Sequence, residues 1–297
     1  MAFDALRRFA ALTLVVSAAS RSAAAQAGPA GTDIYLVPLQ SSNGHLSPGA
    51  PVNLTARAGY DNQPSFSPDG RALWFTAIGE NTHADVCRLD LTSRNQSCLR
   101  TTPESEYSPV ETADGSVVVV RVEQDSTQRL WRFPPGGGDP VLLLEGLQPV
   151  GYYAWVDSTR LLTYVLGEPA TLQLADLRGG APVVLASDIA RSLQRIPGGG
   201  VSFQQRDGDA WVVRRFDPLT NALTTIVRAL PGSDFHAWLP DGTLLMARGD
   251  ALYRWRDGQP GWQLMAAFGA DGLRQITRLA VSPDGRWLAL VADDPGT

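Results

Sequence analysis

Short apolar runs with alternating polar positions recur along this chain, and each pair is broken by a tight polar turn. PSFSPDGRALWFTA from Pro64 and RLAVSPDGRWLALVAD from Arg278 are nearly the same phrase, although more than two hundred residues separate them. Substituted versions appear as VETADGSVVVVRV around Asp114, YAWVDSTRLLTYV around Asp157, QRIPGGGVSFQQ around Gly198 and HAWLPDGTLLMAR around Asp241. With Asp69, Asp114, Asp157, Gly198, Asp241 and Asp284 as anchors, the steps are 45, 43, 41, 43 and 43 residues. Each phrase reads as two short strands joined by a turn. Pro presets φ for the first central position, Asp bonds the local backbone, and Gly supplies the positive φ that closes the turn. The flanking alternation has strand period.

Two further strand-like runs follow each hairpin. The third-strand series begins with IYLVPL at Ile34 and VCRLDL at Val86 and ends with LYRWRD at Leu252; the fourth begins with VNLTA at Val52 and ends with WQLMAA at Trp262. The order of these runs carries the topology. The chain opens on a third and a fourth strand and stops at Thr297, just after a second strand. Repeats of this period mean a propeller or solenoid, and the complementary ends predict an all-β, six-bladed β-propeller whose last blade is closed by N-terminal strands. Such closure removes the exposed sheet edges that otherwise invite aggregation.

The first residues break the pattern. Arg7 and Arg8 precede an apolar run from Phe9 to Ala19, then SRSAAAQA offers an Ala25-x-Ala27 exit. That is the layout of a secretory signal peptide over residues 1–27, and the apolar run is too short to span a bilayer. Residues 28–297 are then the propeller, with no membrane span left after cleavage. A net charge of −5 and a pI near 5.2 give no cationic footprint for nucleic acid. The basic residues are essentially all arginine.

An exported setting bears on the two cysteines. Cys87 falls in a third strand and Cys98 in the fourth strand of the same blade, and a hairpin turning between Thr92 and Ser93 sets them opposite each other. In an oxidising compartment that placement predicts a cross-strand disulfide. The alternative is a pair of free thiols, because a register slip of one residue separates them.

The SPDGRALWFTA and SPDGRWLALVAD phrases, each within a blade-length repeat and with NLTA ending a blade, resemble the WD-like repeats of the TolB-type propeller. The resemblance implies a six-bladed propeller in the bacterial periplasm or outside the cell. In that family TolB is a non-catalytic envelope protein that binds partner proteins and peptides through its propeller, and it carries an α/β domain ahead of the propeller. Here only about five residues separate the cleavage site from the first strand, so that domain is not expected.

Catalytic motifs are sparse. There is no G-x-S-x-G elbow and no H-E-x-x-H helix, and His45, His83 and His236 are dispersed, so no metal or cofactor is expected. The acidic pairs Asp207 with Asp209 and Asp293 with Asp294 fall at hairpin turns and read as solvated carboxylates. Trp74, Trp155, Trp238 and Trp287 occupy inner-hairpin positions suited to packing between blades. In a propeller the loops entering the inner strands form a funnel mouth. Counting back from the turns brings Asp61, Asn62, Gln63, Glu106, Tyr107, Tyr152, Tyr153, Arg191, Asp234, His236, Arg274 and Arg278 to that region. The expected ligand-binding set is Asn62, Gln63, Tyr107, Tyr152, Arg191, Asp234, His236 and Arg278. These predict a monomeric, exported binding module for a protein, peptide or envelope polymer. The alternatives are a propeller-fold polysaccharide lyase or hydrolase using the funnel as its active site, or a sensor domain derived from a larger protein.

Overall fold

The computed structural model describes residues 30–42, 45–79 and 83–293. The expected signal segment lies outside the described residues, as does Asp294. Strands β1 (Thr32–Ser42), β2 (His45–Pro48) and β3 (Val52–Asn53) come first. They are followed by β4 (Tyr60–Phe66), β5 (Ala72–Ile78), β6 (Ala84–Asp90) and β7 (Gln96–Cys98), then by β8 (Ser105–Glu111), β9 (Val117–Val122), β10 (Gln128–Phe133) and β11 (Val141–Leu142). Next come β12 (Val150–Trp155), β13 (Arg160–Val165), β14 (Thr171–Asp176) and β15 (Val183–Ser187), and β16 (Ile189–Arg195), β17 (Val201–Asp207), β18 (Ala210–Phe216) and β19 (Leu223–Arg228). The remainder are β20 (His236–Trp238), β21 (Leu244–Arg248), β22 (Ala251–Trp255), β23 (Gln263–Ala267), β24 (Leu279–Val281) and β25 (Trp287–Asp293).

From β8 to β23 these form four separate four-stranded sheets, each antiparallel between chain neighbours. The remaining strands form a nine-stranded sheet in the order β24-β25-β1-β4-β5-β6-β7, with β2 and β3 paired to β1. Within it β1 runs antiparallel to β25 from Thr32↔Asp293 to Pro38↔Trp287, while β1 meets β4 through the single parallel pair Thr32↔Tyr60. β1, the first strand among the described residues, thus lies against the β24–β25 hairpin.

The repeated SPDG phrase has a local cause. Asp69 Oδ1 accepts the Ser67 hydroxyl at 2.7 Å and the Arg71 N–H at 3.0 Å, and Gly70 takes the positive φ of +71° that the turn requires. Asp284 repeats this with Ser282 and Arg286, at 2.6 and 3.0 Å. The Ser282 hydroxyl is the main reason the Asp284 carboxyl is held down to about 2.

Burial falls from the second strand of each sheet outward. Every residue of β5 is buried, whereas every residue of β7 is exposed. A strand covered on both faces reads as a continuous apolar run, which explains the VVVV of β9. Val118 and Val120 enter the cluster shared with β12 and β13, while Val117 and Val119 face Trp74 and Val86 of the preceding sheet. In β25, Leu288, Leu290 and Ala292 pack with residues of β20 to β22, and Ala289 and Val291 pack with β5 and β6. Further clusters join β13 to β17 and β18, and β18 to β21 and β22. Each fully buried Leu, Val or Phe in these seams contributes roughly 1.5–3 kcal/mol relative to exposure.

Cys87 and Cys98 are register partners across β6 and β7 and are joined with S–S 1.97 Å. The turn between them is organised by Asp90, whose Oδ1 accepts the N–H groups of Thr92 at 3.0 Å and Ser93 at 2.8 Å.

Candidate functional site

The first strands of all the sheets, β4, β8, β12, β16, β20 and β24, line one axial cavity of about 520 Å³. Phe66, Trp155 and Trp238 line it at the turn ends of β4, β12 and β20, and its charged lining residues are Arg191, Arg195 and Arg278. Among the described residues the lining contains no Asp, Glu or His.

Arg278 crosses this space. It stands just before β24, and its Nη2 donates 2.9 Å to the Tyr152 hydroxyl on β12. Its guanidinium carbon lies 4.1 Å from the Phe235 ring centre and 5.1 Å from that of Tyr152. These are cation–π distances. Tyr152 in turn meets Tyr164 edge-on, with centroids 5.7 Å apart. Arg191 is exposed at the start of β16 and Arg195 is exposed at its end.

Tyr60, which the sequence reading passed over, belongs to the same group. Burial pushes its phenol up, Arg278 and Arg191 pull it down, and Tyr152 and Tyr107 push it up again. Tyr107 is half-buried against the apolar cluster of β9 to β13 and does not line the cavity, and burial raises its phenol too.

The other expected mouth residues divide sharply. Gln63 lines the cavity, but its Oε1 is already occupied by the Thr76 hydroxyl at 3.0 Å and the Ser108 N–H at 2.5 Å. Gln63 and Ser108 both have positive φ, +57° and +53°, at bulges in β4 and β8. The Gln63 amide therefore ties one inner strand to the next. Asn62 is buried, donating to Thr32 Oγ1 at 3.1 Å. Asp234 is exposed, and its carbonyl accepts Gln204 Nε2 at 2.9 Å. It is not among the residues lining the cavity.

His236 is 0 % exposed and lies behind the cavity wall, with Nε2 2.7 Å from Ser202 Oγ. Burial lowers its pKa to about 3, so it is neutral at physiological pH. The same Ser202 oxygen accepts the Trp238 indole N–H at 2.8 Å. Trp155 and Trp238, expected only as packing between blades, also face the cavity.

Two acidic groups lie close behind the inner strands. Asp61 is fully buried and ion-paired with Arg57; burial outweighs that cation and lifts the carboxyl to about 6. Glu106 pairs with Arg121 at 3.1 Å, and burial raises it as well. Neither lines the cavity. Among the described residues no three His, Cys, Asp or Glu side chains converge as metal donors, and no helix is long and apolar enough to cross a membrane.

No family model and no curated protein matches the chain. Solved structures do match. A TolB candidate from Agrobacterium tumefaciens superposes with TM-score 0.70 at 15% identity, over 90% of this chain and 99% of that one. The oligogalacturonate lyase of Vibrio parahaemolyticus gives 0.57 at 15% identity, over 82% and 80%. A chain of a nidogen/laminin complex gives 0.57 at 12% identity, over 89% and 99%. At these identities the likeness is one of architecture, and sites do not transfer with architecture. The fold of this chain is a TolB-like β-propeller.

Proposed function

We propose that this protein is an exported, six-bladed β-propeller, with its last blade completed by β1 and β3, that binds an anionic segment of a protein, peptide or envelope polymer in the axial cavity without catalysis. The observation that carries this reading is the charge of the cavity. Arg191, Arg195 and Arg278 line it, none makes an ion pair among the described residues, and the lining holds no carboxylate. In a molecule of net charge −5, that concentration of unpaired cation is local. A concave, low-dielectric wall strengthens it further. Arg beside Tyr and Phe is also the composition that anchors binding interfaces.

Six-bladed closure is supported by the pairing of β1 with β25 and by apolar seams that continue from the last hairpin to β5 and β6. Export is supported by the leader-like segment together with the Cys87–Cys98 bridge.

The test is binding of acidic peptides with free and amidated C-termini and of oligogalacturonate, to wild type and to the double variant Arg191→Gln with Arg278→Gln. The double variant should weaken the anionic ligand at least about tenfold, roughly 1.4 kcal/mol, with an unchanged melting temperature. Undiminished affinity would remove the cavity from the function.

The second reading, catalysis on an acidic saccharide, rests on the likeness to the lyase. Shortening of oligogalacturonate on incubation with the purified protein would put it first.

A further inference from the structure

A second cavity, of about 620 Å³, opens at the turn end between the β8–β11 and β12–β15 sheets. Its volume falls within the roughly 300–1,000 Å³ of small-molecule sites. Val118, Leu143 and Leu177 give it apolar walls. The acidic groups on its rim are engaged: Asp114 is paired with Arg132, Asp157 with Arg160 at 2.7 Å, and Glu111 accepts the Trp74 indole N–H at 2.6 Å. Arg195 also lines it and has no ion pair among the described residues. Its guanidinium is the one cation of the lining left without a carboxylate.

Trp155, at the turn end of β12, lines both this cavity and the axial one, so its side chain is shared between the two walls.

We propose that this lateral cavity binds an apolar monocarboxylic acid, its body against Val118, Leu143, Leu177 and the Trp155 side chain and its carboxylate at Arg195. The site goes beyond the axial reading, because its walls are apolar and it has a single unpaired cation instead of three.

The probe is 4-phenylbutyrate, with 4-phenylbutanol as its neutral counterpart, titrated calorimetrically into the full-length protein. The acid should bind, and the alcohol should bind at least about tenfold more weakly. Arg195→Gln, at an exposed position, should weaken the acid about tenfold. Leu143→Trp should fill the cavity and abolish binding, while Arg278→Gln, which touches only the axial cavity, should leave it intact. Equal affinity for acid and alcohol would overturn the proposal, as would failure of the acid to bind at millimolar concentration. Loss of binding in Arg278→Gln with retention in Leu143→Trp would assign the acid to the axial cavity instead. Should Leu143→Trp fail to fold, the Arg195→Gln and Arg278→Gln pair still decides.

Discussion

Replacing Cys98 by Ser removes a covalent clamp with almost no change in buried volume, since Cys98 is exposed while Cys87 is 2 % exposed. The bridge closes a loop of sequence separation 11, for which the chain-entropy relation gives about 2.8 kcal/mol. The pairing it reinforces is short, running only from Cys87↔Cys98 to Leu89↔Gln96, and β7 buries nothing of its own. The outer strand of this sheet therefore depends on the bridge more than on packing. For a chain of this size about 2.8 kcal/mol corresponds to roughly 5 °C in melting temperature. Thermal unfolding followed by circular dichroism, with and without reductant, reads it directly. Wild type should fall by that amount on reduction and Cys98→Ser should match reduced wild type and ignore reductant. A wild-type transition that stays within a degree or two on full reduction, confirmed by labelling of both thiols, would refute the reasoning.

Two buried groups should give opposed pH slopes between pH 4 and 7. The folded-state pKa of Asp61, about 6, lies above its ordinary 3.8, so the folded chain takes up that proton first and stability rises as pH falls from about 6 to 4. His236, held at about 3 against an ordinary 6.5, contributes stability that is fully present above pH 6.5 and is lost as pH falls toward 3. Denaturant unfolding should show Asp61→Asn losing stability on acidification more steeply than wild type, and His236→Gln less steeply; the reverse order would contradict both assignments. Deleting residues 33–56 removes Ile34, Tyr35 and Val37 from two apolar seams and should abolish cooperative unfolding, because neighbouring units depend on each other for burial. A deletion retaining the wild-type transition would show the N-terminal strand to be dispensable.

The parts of the molecule legible in the sequence are those governed by local rules. The Ser-Pro-Asp-Gly turns repeat because one hydrogen-bond pattern repeats, and the second strands stand out because burial on both faces leaves them wholly apolar. The candidate site was read less well. Counting back from a turn with period two assumes a regular strand, yet β4, β8, β12 and β16 all carry register shifts. The shifts in β4, β8 and β12 each add one residue and exchange the side facing the axis for the side facing the neighbouring sheet, whereas the shift in β16 adds two. Thus Asn62, beyond the β4 bulge when counted from the turn, turns inward to Thr32. β20 begins at His236, which packs behind the wall while Phe235, one residue before it, stacks on Arg278. The acidic-x-x-Pro pattern shared by Asp61–Pro64 and Glu106–Pro109 marks the bulges of β4 and β8.

The antiparallel match of β1 with β25 also fixes how the molecule would respond to force. Thr32 and Asp293 face each other at the same end of the ladder, so a pull applied through those two residues loads the hydrogen bonds one after another. A ladder opened in that peeling geometry yields at lower tension than one whose strands slide past each other. Tension applied between Thr32 and Asp293 would therefore open this seam pair by pair, however stable it is to heat.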